Sequence, residues 1–376
     1  MKKIEIELER DLAKEEERLI SFVSKKIQSY SIENGKLILT VEDDAEEELI
    51  QGNFKQLINM KKVEKGNTVI KENYIERDYV DFQTLLDSGI VEQYGTGCIL
   101  LSELGQKLFD FFDQNFLDII SDLSPVHKQF PTLLPLNVVE DTKYLHSSPQ
   151  YLLFCSKLNE SLDEYNQVEE KYANHELSDT LNSPEFALSP SACFHLFGYL
   201  YGKSLKKENV FTLRQNVFRN EGRFNWKELT RLQDYNVREI VMIGSRDYVN
   251  STRELILTRA EKLFDDLGMN YSISVASDPF VMPTMQGYKR IQKFNKVKYE
   301  LGMYVNKETT VACASFNLHG TTFSSKFKFH AENTDVTESA CIGFGIERII
   351  IAFLSQYGTE LEKWPVKVKE FIKGVS

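Results

Sequence analysis

Two polar segments in the second half of this chain carry residue types suited to nucleotide chemistry. The first contains Arg219, Glu221, Arg231, Tyr235 and Glu239. Strand-forming residues flank a polar stretch in its middle, which predicts an antiparallel hairpin. Because side chains alternate between the faces of a strand, we expect Arg219 and Glu221 to share one face of the first strand. By the same rule, we expect Arg231, Tyr235 and Glu239 to share one face of the second.

One surface of this hairpin would then present two cations, two carboxylates and an aromatic ring. A nucleotide site uses such a set, with arginines for the phosphates, a ring for the adenine and a carboxylate for its exocyclic amine. The same set is also typical of a solvated strand face with cross-strand ion pairs. The segment alone leaves both interpretations open.

The second segment runs from Cys341 through Gly343 and Gly345 to Arg348. The glycines allow a strand to pass closely into a helix, whose first turn would hold Arg348. The free N–H groups of a helix N-terminus, together with an arginine, suit an anion. A tight strand-to-helix junction with an exposed arginine produces the same pattern, so the anion site is one of two interpretations.

The elements that position these segments favour an α+β fold. A long amphipathic helix is predicted at 103–122, with Ser102 as its N-cap. Strand-like and helical segments then mix without strict βαβ alternation. We therefore expect a mixed, mainly antiparallel sheet flanked by helices over residues 79–376.

The first 75 residues are predicted to form a small accessory domain. Its expected elements are a strand, a helix, a strand and a helix, at 3–8, 11–30, 37–41 and 44–60. Polar residues at 64–73 end the pattern. The first 78 residues contain 14 Lys and Arg and 18 Asp and Glu, which gives a net charge of -4. A tRNA-binding surface is usually basic. We expect this domain to fold on its own, so that its removal leaves the chemistry of the remainder largely intact.

Composition narrows the class of protein further. The 376 residues are 42% hydrophobic with a net charge of -11, which lowers the expectation of a nucleic-acid partner. No apolar run approaches the roughly 20 residues of a membrane helix, and the N-terminus lacks a signal-peptide pattern, so we expect a cytoplasmic protein without a membrane partner. The five cysteines are scattered and odd in number, which predicts neither a disulfide framework nor a CxxC metal site.

Taken in order, the two polar segments resemble motifs 2 and 3 of class II aminoacyl-tRNA synthetases, FRxE followed by a second arginine and then GxGxxR. The predicted long helix is compatible with their dimer-forming motif 1. The chain is similar, more narrowly, to the amino acid:[carrier protein] ligases, truncated relatives of the zinc-containing archaeal type of seryl-tRNA synthetase. Further stretches carry this resemblance, at 86–101, 130–152, 188–195 and 314–319.

The resemblance implies an ATP-binding set in which the three arginines are catalytic: Arg219, Glu221, Arg231, Tyr235, Asn317 and Arg348. By analogy, Arg219 holds the α-phosphate and the carboxyl end of the amino acid. Glu221 reads the adenine amine, and Tyr235 stacks on the adenine ring. Arg231 and Arg348 take the β- and γ-phosphates of a bent ATP, with Mg²⁺ between phosphates and protein.

The family also has a zinc ion held by Cys, Glu and Cys, and the matching residues are Cys193, Glu239 and Cys341. No spacing rule selects these residues, which lie far apart in the sequence. Three protein ligands leave a fourth position open, and in the family it binds the neutral α-amino group of the substrate. The alternative is two buried thiols and an ion-paired glutamate. We expect His195 and His319 to pack beside the site and not to bind metal.

The implied function is ATP-dependent activation of glycine, alanine or serine and its transfer to the phosphopantetheine thiol of a carrier protein, by a homodimer that does not use tRNA. A compact aminoacyl-tRNA synthetase, or a ligase to another nucleophile, is the first alternative. A non-catalytic, amino-acid-sensing paralogue is the second, and it is disfavoured because the charged motif residues are all present. Basic residues that could dock an acidic carrier, or simply lie on solvated faces, are Lys203, Lys206, Lys207, Arg214 and those of 289–298.

Overall fold

Two separate hydrophobic cores organise the chain. The computed structural model describes residues 1–12, 14–59, 68–226, 228–278 and 280–374. The smaller core is built from residues between Ile4 and Leu57, and the larger one from residues between Leu85 and Val368. None of the helices that the structure describes combines the length and the apolar character needed to span a bilayer.

The N-terminal unit (residues 1–59) is a three-stranded antiparallel sheet covered by a helix. Its elements are β1 (Lys2–Glu7), α1 (Lys14–Glu17), β2 (Ile27–Glu33), β3 (Lys36–Val41) and α2 (Glu47–Asn59). The strand order is β1-β3-β2. Asn34 and Gly35 join β2 to β3 with φ values of 51° and 75°, which is the backbone of a two-residue hairpin turn.

The helix predicted at 11–30 is wrong over much of its length. Among the described residues of this span, helical structure covers only Lys14–Glu17 and a 3₁₀ turn at Arg18–Phe22. The chain then becomes β2, which pairs with β3. A tight Asn-Gly hairpin turn needs a strand on each side of it, so strand pairing overrides the helical spacing of the apolar residues.

In the rest of the described chain the strands are, in order, β4 (Thr68–Asn73), β5 (Val91–Gly95), β6 (Cys98–Leu101), β7 (Val126–His127), β8 (Leu133–Pro135), β9 (Leu153–Cys155), β10 (Phe186–Leu188), β11 (Ser204–Leu205), β12 (Asn209–Phe218), β13 (Asp234–Gly244), β14 (Tyr271–Val275), β15 (Lys298–Tyr304), β16 (Thr310–Gly320), β17 (His330–Ala331) and β18 (Glu338–Gly345). The helices are α3 (Phe82–Asp87), α4 (Glu103–Asp118), α5 (Leu136–Asp141), α6 (Tyr144–Ser147), α7 (Leu162–Tyr165), α8 (Val168–Ala173), α9 (Cys193–Tyr199), α10 (Arg246–Asp266), α11 (Gln286–Phe294), α12 (Thr322–Phe327), α13 (Ile346–Tyr357) and α14 (Val366–Lys373).

Over the described residues, eight of these strands form the main sheet, in the order β4-β14-β15-β16-β18-β13-β12-β7. All of its neighbouring strands are antiparallel except β12 and β7. Helices α10 and α13 pack against its central strands. The predicted α+β fold with a mixed, mainly antiparallel sheet is therefore confirmed.

Strand β4 bears on the predicted domain boundary. It lies before residue 75, yet it pairs with β14 at the edge of the main sheet. The polar stretch at 64–67 is outside the described residues. The division into domains 1–75 and 79–376 remains a prediction, and the strand at 68–73 belongs structurally with the larger part.

Helix α4 is anchored inside its own chain. Ser102 caps it as predicted, because its Oγ accepts a hydrogen bond from the Gly105 amide at 3.3 Å. Phe116 stacks on Phe344 with ring centroids 4.1 Å apart. The apolar face of this helix is therefore buried in the core of its own chain, and by itself it does not indicate a partner subunit.

Candidate active site

The predicted hairpin is present, but its strands are shorter than the sequence suggests. Strands β12 and β13 pair from Asn209–Ile243 to Phe218–Asp234. The segment 219–233 joins them, and we call its described residues, 219–226 and 228–233, the hairpin loop. Arg219, Glu221 and Arg231 therefore lie on the loop and not on strand faces, which corrects the shared-face prediction. Tyr235 and Glu239 do lie on β13, four residues apart and therefore on the same face of the strand.

Backbone and side-chain contacts from other segments shape the hairpin loop. The Arg219 amide donates to the Gln233 carbonyl at 3.0 Å and extends the hairpin by one rung. The Arg219 Nε donates to the Pro190 carbonyl at 3.0 Å. The Asn220 amide donates to the Tyr151 carbonyl at 3.1 Å. These contacts draw the three charged loop residues to one place although no strand aligns them.

Glu221 lies between two arginines. Its Oε2 is 3.4 Å from the Arg231 Nη1, and its Oε1 is 3.2 Å from the Arg348 Nη2. Burial raises the pKa of this carboxyl, but the charges of Arg348, Arg231 and Arg219 outweigh that effect and hold the pKa below its ordinary value. A carboxylate kept ionised between cations can accept hydrogen bonds from a ligand amine.

Arg348 also covers an aromatic ring. Its guanidinium carbon is 4.9 Å from the centroid of the Tyr235 ring, and both side chains are buried. Gly345 ends β18 beside this pair, since a Cβ added there would stand 3.5 Å from the Tyr235 ring. The strand-to-helix junction thus places the Arg348 guanidinium over the Tyr235 ring.

Cys193, Glu239 and Cys341 converge although they belong to three different elements. Cys193 begins α9, Glu239 lies on β13 and Cys341 lies on β18. Their ligand atoms all lie within 4.8 Å of one another, and all three residues are buried. Cys341 pairs in register with Val241, so Glu239 is its diagonal neighbour on the same sheet face.

The electrostatics of this cluster fit a metal ion. Burial raises the pKa of Glu239 to about 7. The hydrogen bond with Cys193, burial and the Glu239 charge raise the pKa of the Cys341 thiol well above its ordinary value. Packing three acidic groups together in the interior is costly unless they stay protonated or share a cation. Two sulfurs and one carboxylate oxygen are a donor set that zinc accepts.

Polar neighbours hold the two sulfurs. The Asn317 Nδ2 lies 3.5 Å from the Cys341 Sγ and donates to the Ser315 Oγ at 3.1 Å. The Ser191 Oγ lies 3.3 Å from the Cys193 Sγ. Asn317 was predicted among the ATP-binding residues, and the structure places it beside the cysteine cluster.

Comparison with known proteins identifies the family. Residues 176–357 match the family described as tRNA synthetase class II core domain (G, H, P, S and T). Over 248 residues the chain is 30% identical to Amino acid--[acyl-carrier-protein] ligase 1 of Bradyrhizobium diazoefficiens. The match covers 65% of this chain and 75% of that protein. The chain belongs to the amino acid–[acyl-carrier-protein] ligase family. It is a ligase-type enzyme built on the class II synthetase core.

Serine–tRNA ligases are also similar to this family member. It is 28% identical over 259 residues to the Type-2 serine--tRNA ligase of Methanococcus aeolicus, covering 65% of this chain and 49% of that protein. The chain thus spans about half the length of that relative. Among solved structures, the M. kandleri SerRS in complex with A. aeolicus tRNASec covers 99% of this chain and 77% of its own, with a TM-score of 0.70 and 19% identity. That likeness shows the fold alone.

The histidines of this ligase homologue lie outside its cysteine cluster. His195 stacks on Phe130 with centroids 5.7 Å apart, and burial lowers its pKa to about 4. The His319 Nδ1 lies 3.1 Å from the Ser339 Oγ, and burial also lowers its pKa to about 4. Neither histidine belongs to the group of ligand atoms around Glu239 in the described residues.

Sequence analysis of this family member missed several residues near Arg219. Tyr144 and Tyr151 lie close enough to Arg219 to interact with its charge, and burial raises the pKa of Tyr151 to about 12. Asp278 accepts hydrogen bonds from the Lys298 Nζ at 2.9 Å and from the Gln292 Nε2 at 2.8 Å, and its side chain stays 41% exposed. The tyrosines lie within the 130–152 stretch of the resemblance, which could have drawn attention to them. No sequence pattern marked Asp278.

Proposed function

We propose that this protein activates a small amino acid with ATP to give aminoacyl-AMP and transfers it to the phosphopantetheine thiol of a carrier protein. The observation that carries the proposal is the convergence of Cys193, Glu239 and Cys341 beside the arginine cluster. Arg219 lies close enough to Glu239 to act on its charge, and a set of metal-binding side chains next to a cation suits a substrate with an amino group and a carboxylate. The ligase relative in Bradyrhizobium diazoefficiens supports the choice of acceptor.

The arginines support the chemistry of the first step. A carboxylate oxygen of the amino acid bonds to the α-phosphorus of ATP, and the bond from phosphorus to the pyrophosphate oxygen breaks. Negative charge grows on the pentacoordinate phosphoryl group and on the leaving pyrophosphate, with Mg²⁺ expected between the phosphates. Arg219, Arg231 and Arg348 are the cations that would stabilise that charge. Loss of water from their surroundings strengthens the interaction.

ATP binding requires a rearrangement at Tyr235. Stacked rings lie about 3.5 Å apart, so an adenine stacked on Tyr235 would occupy the space of the Arg348 guanidinium, whose carbon is 4.9 Å from the ring centroid. We infer that Arg348 moves away from the ring when ATP enters and exchanges its contact with Glu221 for contacts with the nucleotide.

Cys193, Glu239 and Cys341 would hold a zinc ion. When bound, zinc would supply an open coordination position for an uncharged amine, which selects an α-amino acid over a simple carboxylic acid. Around that position the chain contributes Asn317 and Ser315, which fix the orientation of the Cys341 sulfur by hydrogen bonding. We propose a small amino acid, glycine, alanine or serine, as the substrate. The proposal covers all three because a single methyl group changes binding by only about 1–3 kcal/mol.

A tRNA is the second candidate acceptor. The solved SerRS in complex with tRNA covers nearly all of this chain, including its N-terminal unit. Against it, the first 78 residues have a net charge of -4, and tRNA phosphates are normally met by a basic surface. The carrier protein is therefore the acceptor we propose.

One experiment tests both halves of this function. Pyrophosphate exchange is measured with a panel of amino acids, and the best substrate is then offered to holo-carrier, apo-carrier and total tRNA in parallel. We expect exchange with a small amino acid and loading of holo-carrier alone. Efficient charging of tRNA that weakens steeply with salt would replace the carrier by tRNA as the acceptor.

We also propose a homodimer. Strand β7 lies at one edge of the main sheet, where Val126 is partly exposed. Unpaired strand edges are sites where a second chain can add. Sedimentation at micromolar concentration is expected to give twice the 43.5 kDa of the chain. A cytoplasmic location remains a prediction from the sequence.

A further inference from the structure

The N-terminal unit touches the hairpin loop of the active site directly. The Arg18 Nη2 donates to the Glu228 Oε2 at 2.9 Å. The Ser21 Oγ accepts a hydrogen bond from the Phe224 amide at 3.2 Å. Gly222 has a φ of +90°, and a Cβ there would lie 2.7 Å from the Ser21 Cβ. The loop therefore lies closely against the 3₁₀ turn at Arg18–Phe22.

An apolar contact strengthens this junction. The Phe224 ring leaves the hairpin loop and meets Tyr30 edge-to-face, with centroids 5.5 Å apart. Phe224 packs against the small hydrophobic core of the N-terminal unit. On its other side the loop is fastened to the larger part of the chain, because the Gln233 amide donates to the Gly97 carbonyl at 2.7 Å. The loop is thus held between two separately built cores.

A chain of alternating charges runs from this junction into the nucleotide site. Arg18 pairs with Glu228, and the Glu228 Oε2 lies 3.5 Å from the Arg231 Nε. Arg231 pairs with Glu221, which pairs with Arg348. The Arg18–Glu228 pair is about one quarter exposed, with 23% and 24% of the two side chains accessible. Glu228 therefore lies between Arg18 and Arg231, and Glu221 lies between Arg231 and Arg348.

We propose that Arg18 is a positioning residue of the ATP site, which acts through Glu228 to orient Arg231, and that the N-terminal unit clamps the hairpin loop. The proposal rests on the proposed ATP-dependent function. It gives the acidic N-terminal unit a role in ATP binding, although most residues of the candidate active site lie in the larger part of the chain. It also reverses the expectation that removing residues 1–75 would leave activation intact, since the clamp and β4 would both be lost.

The test uses point variants of the full-length, zinc-loaded protein. The variants are Arg18→Ala, Arg18→Lys and Glu228→Gln, with Lys36→Ala as the matched control. Lys36 lies in the same unit, loses the same charge on substitution and pairs only with Glu5 and Glu7 in the described contacts. The two readouts are the Kd for Mg·ATP and the hydrogen exchange of residues 219–233, neither of which needs an amino acid, a carrier or a tRNA.

We expect Arg18→Ala to weaken ATP binding about ten-fold and to speed exchange in the hairpin loop by a similar factor, because small displacements of a positioned group are costly. Arg18→Lys keeps a cation beside Glu228 and is expected to recover most of the loss. Combining Arg18→Ala with Glu228→Gln is expected to add little to the effect of Glu228→Gln, since both act on Arg231. The KM for the amino acid and the zinc content are expected to stay unchanged.

The proposal is overturned if Arg18→Ala matches Lys36→Ala in both ATP affinity and loop exchange. That result would leave the proposed function standing. Conversely, charging of tRNA in place of the carrier would change the acceptor and leave the role of Arg18 unaffected, because both readouts precede the transfer step.

Discussion

A Cβ placed on Gly343 would stand 2.8 Å from the Oε2 of Glu239. The glycine belongs to the GxGxxR motif, and it lies directly opposite Glu239 in the pairing of β13 with β18. The absence of a side chain there is what lets the Glu239 carboxylate turn toward Cys193 and Cys341. A residue of the nucleotide motif therefore also shapes the candidate metal site.

Gly343→Ala is accordingly expected to weaken zinc binding. The added methyl group displaces the carboxylate, and disturbance of a ligand's support typically costs about 10- to 100-fold in metal affinity. Competition with a chromophoric chelator measures the change. Gly52→Ala is the control, because a Cβ at Gly52 meets nothing within 4 Å. Equal zinc affinity in the two variants would contradict the packing argument.

Substitution of the sulfur ligands is expected to remove zinc. We expect about one zinc per chain in the purified protein, and much less in Cys193→Ser and Cys341→Ser, with loss of amino-acid activation. Cys155→Ser serves as the control, since Cys155 is a free cysteine outside the cluster. Metal analysis alongside pyrophosphate exchange checks this. Fully active enzyme without zinc would count against the metal site.

Zinc binding to the metal-free protein is expected to release fewer protons as the pH rises. Burial raises the pKa of Glu239 to about 7, so this carboxyl must lose a proton on binding zinc at pH 6 but is already ionised at pH 8. The change is about one proton. The Cys341 pKa lies well above this window, so its thiol releases its proton throughout. Calorimetry in buffers of different ionisation enthalpy measures the release, and Glu239→Gln is expected to abolish the change.

The same pKa shift affects the stability of the metal-free protein. A carboxyl whose pKa is higher in the folded than in the unfolded state stabilises the fold at low pH. This contribution is lost as the pH rises toward about 7. The free energy of unfolding of Glu239→Gln is therefore expected to fall less between pH 5 and pH 7.5 than that of the unchanged protein. Denaturant titrations at pH 5 and pH 7.5, without metal, compare the two proteins.

Glu221→Gln is expected to destabilise the protein and to change its choice of base. Replacing the buried carboxylate by an amide removes the ion pair of Arg348 and leaves Arg231 with its longer contact to Glu228, a loss of about 3–5 kcal/mol. Thermal unfolding measures that loss. If Glu221 accepts a hydrogen bond from the adenine amine, the variant is also expected to lose preference for ATP over inosine triphosphate. An unchanged preference would remove Glu221 from base recognition.

Local sequence patterns were enough for much of the fold. The Ser102 cap and the β12–β13 hairpin were both predicted, because caps and strand alternation depend on neighbouring residues. The order of the two charged motifs was enough to suggest the family. The helix predicted at 11–30 failed because strand pairing with β3 decides the conformation there.

Only the tertiary structure decided how distant residues meet. Arg219, Glu221 and Arg231 reach one site through a loop held by Pro190 and Tyr151, and not through strand alternation. Cys193, Glu239 and Cys341 came from a resemblance, and the tertiary structure brings the first residue of α9 to the residues on β13 and β18. Arg18 and Glu228 are separated by 210 residues. The spacing of residues in a sequence predicts which side chains share a face of one helix or strand. Contacts between elements depend on how those faces pack against one another, which spacing alone does not specify.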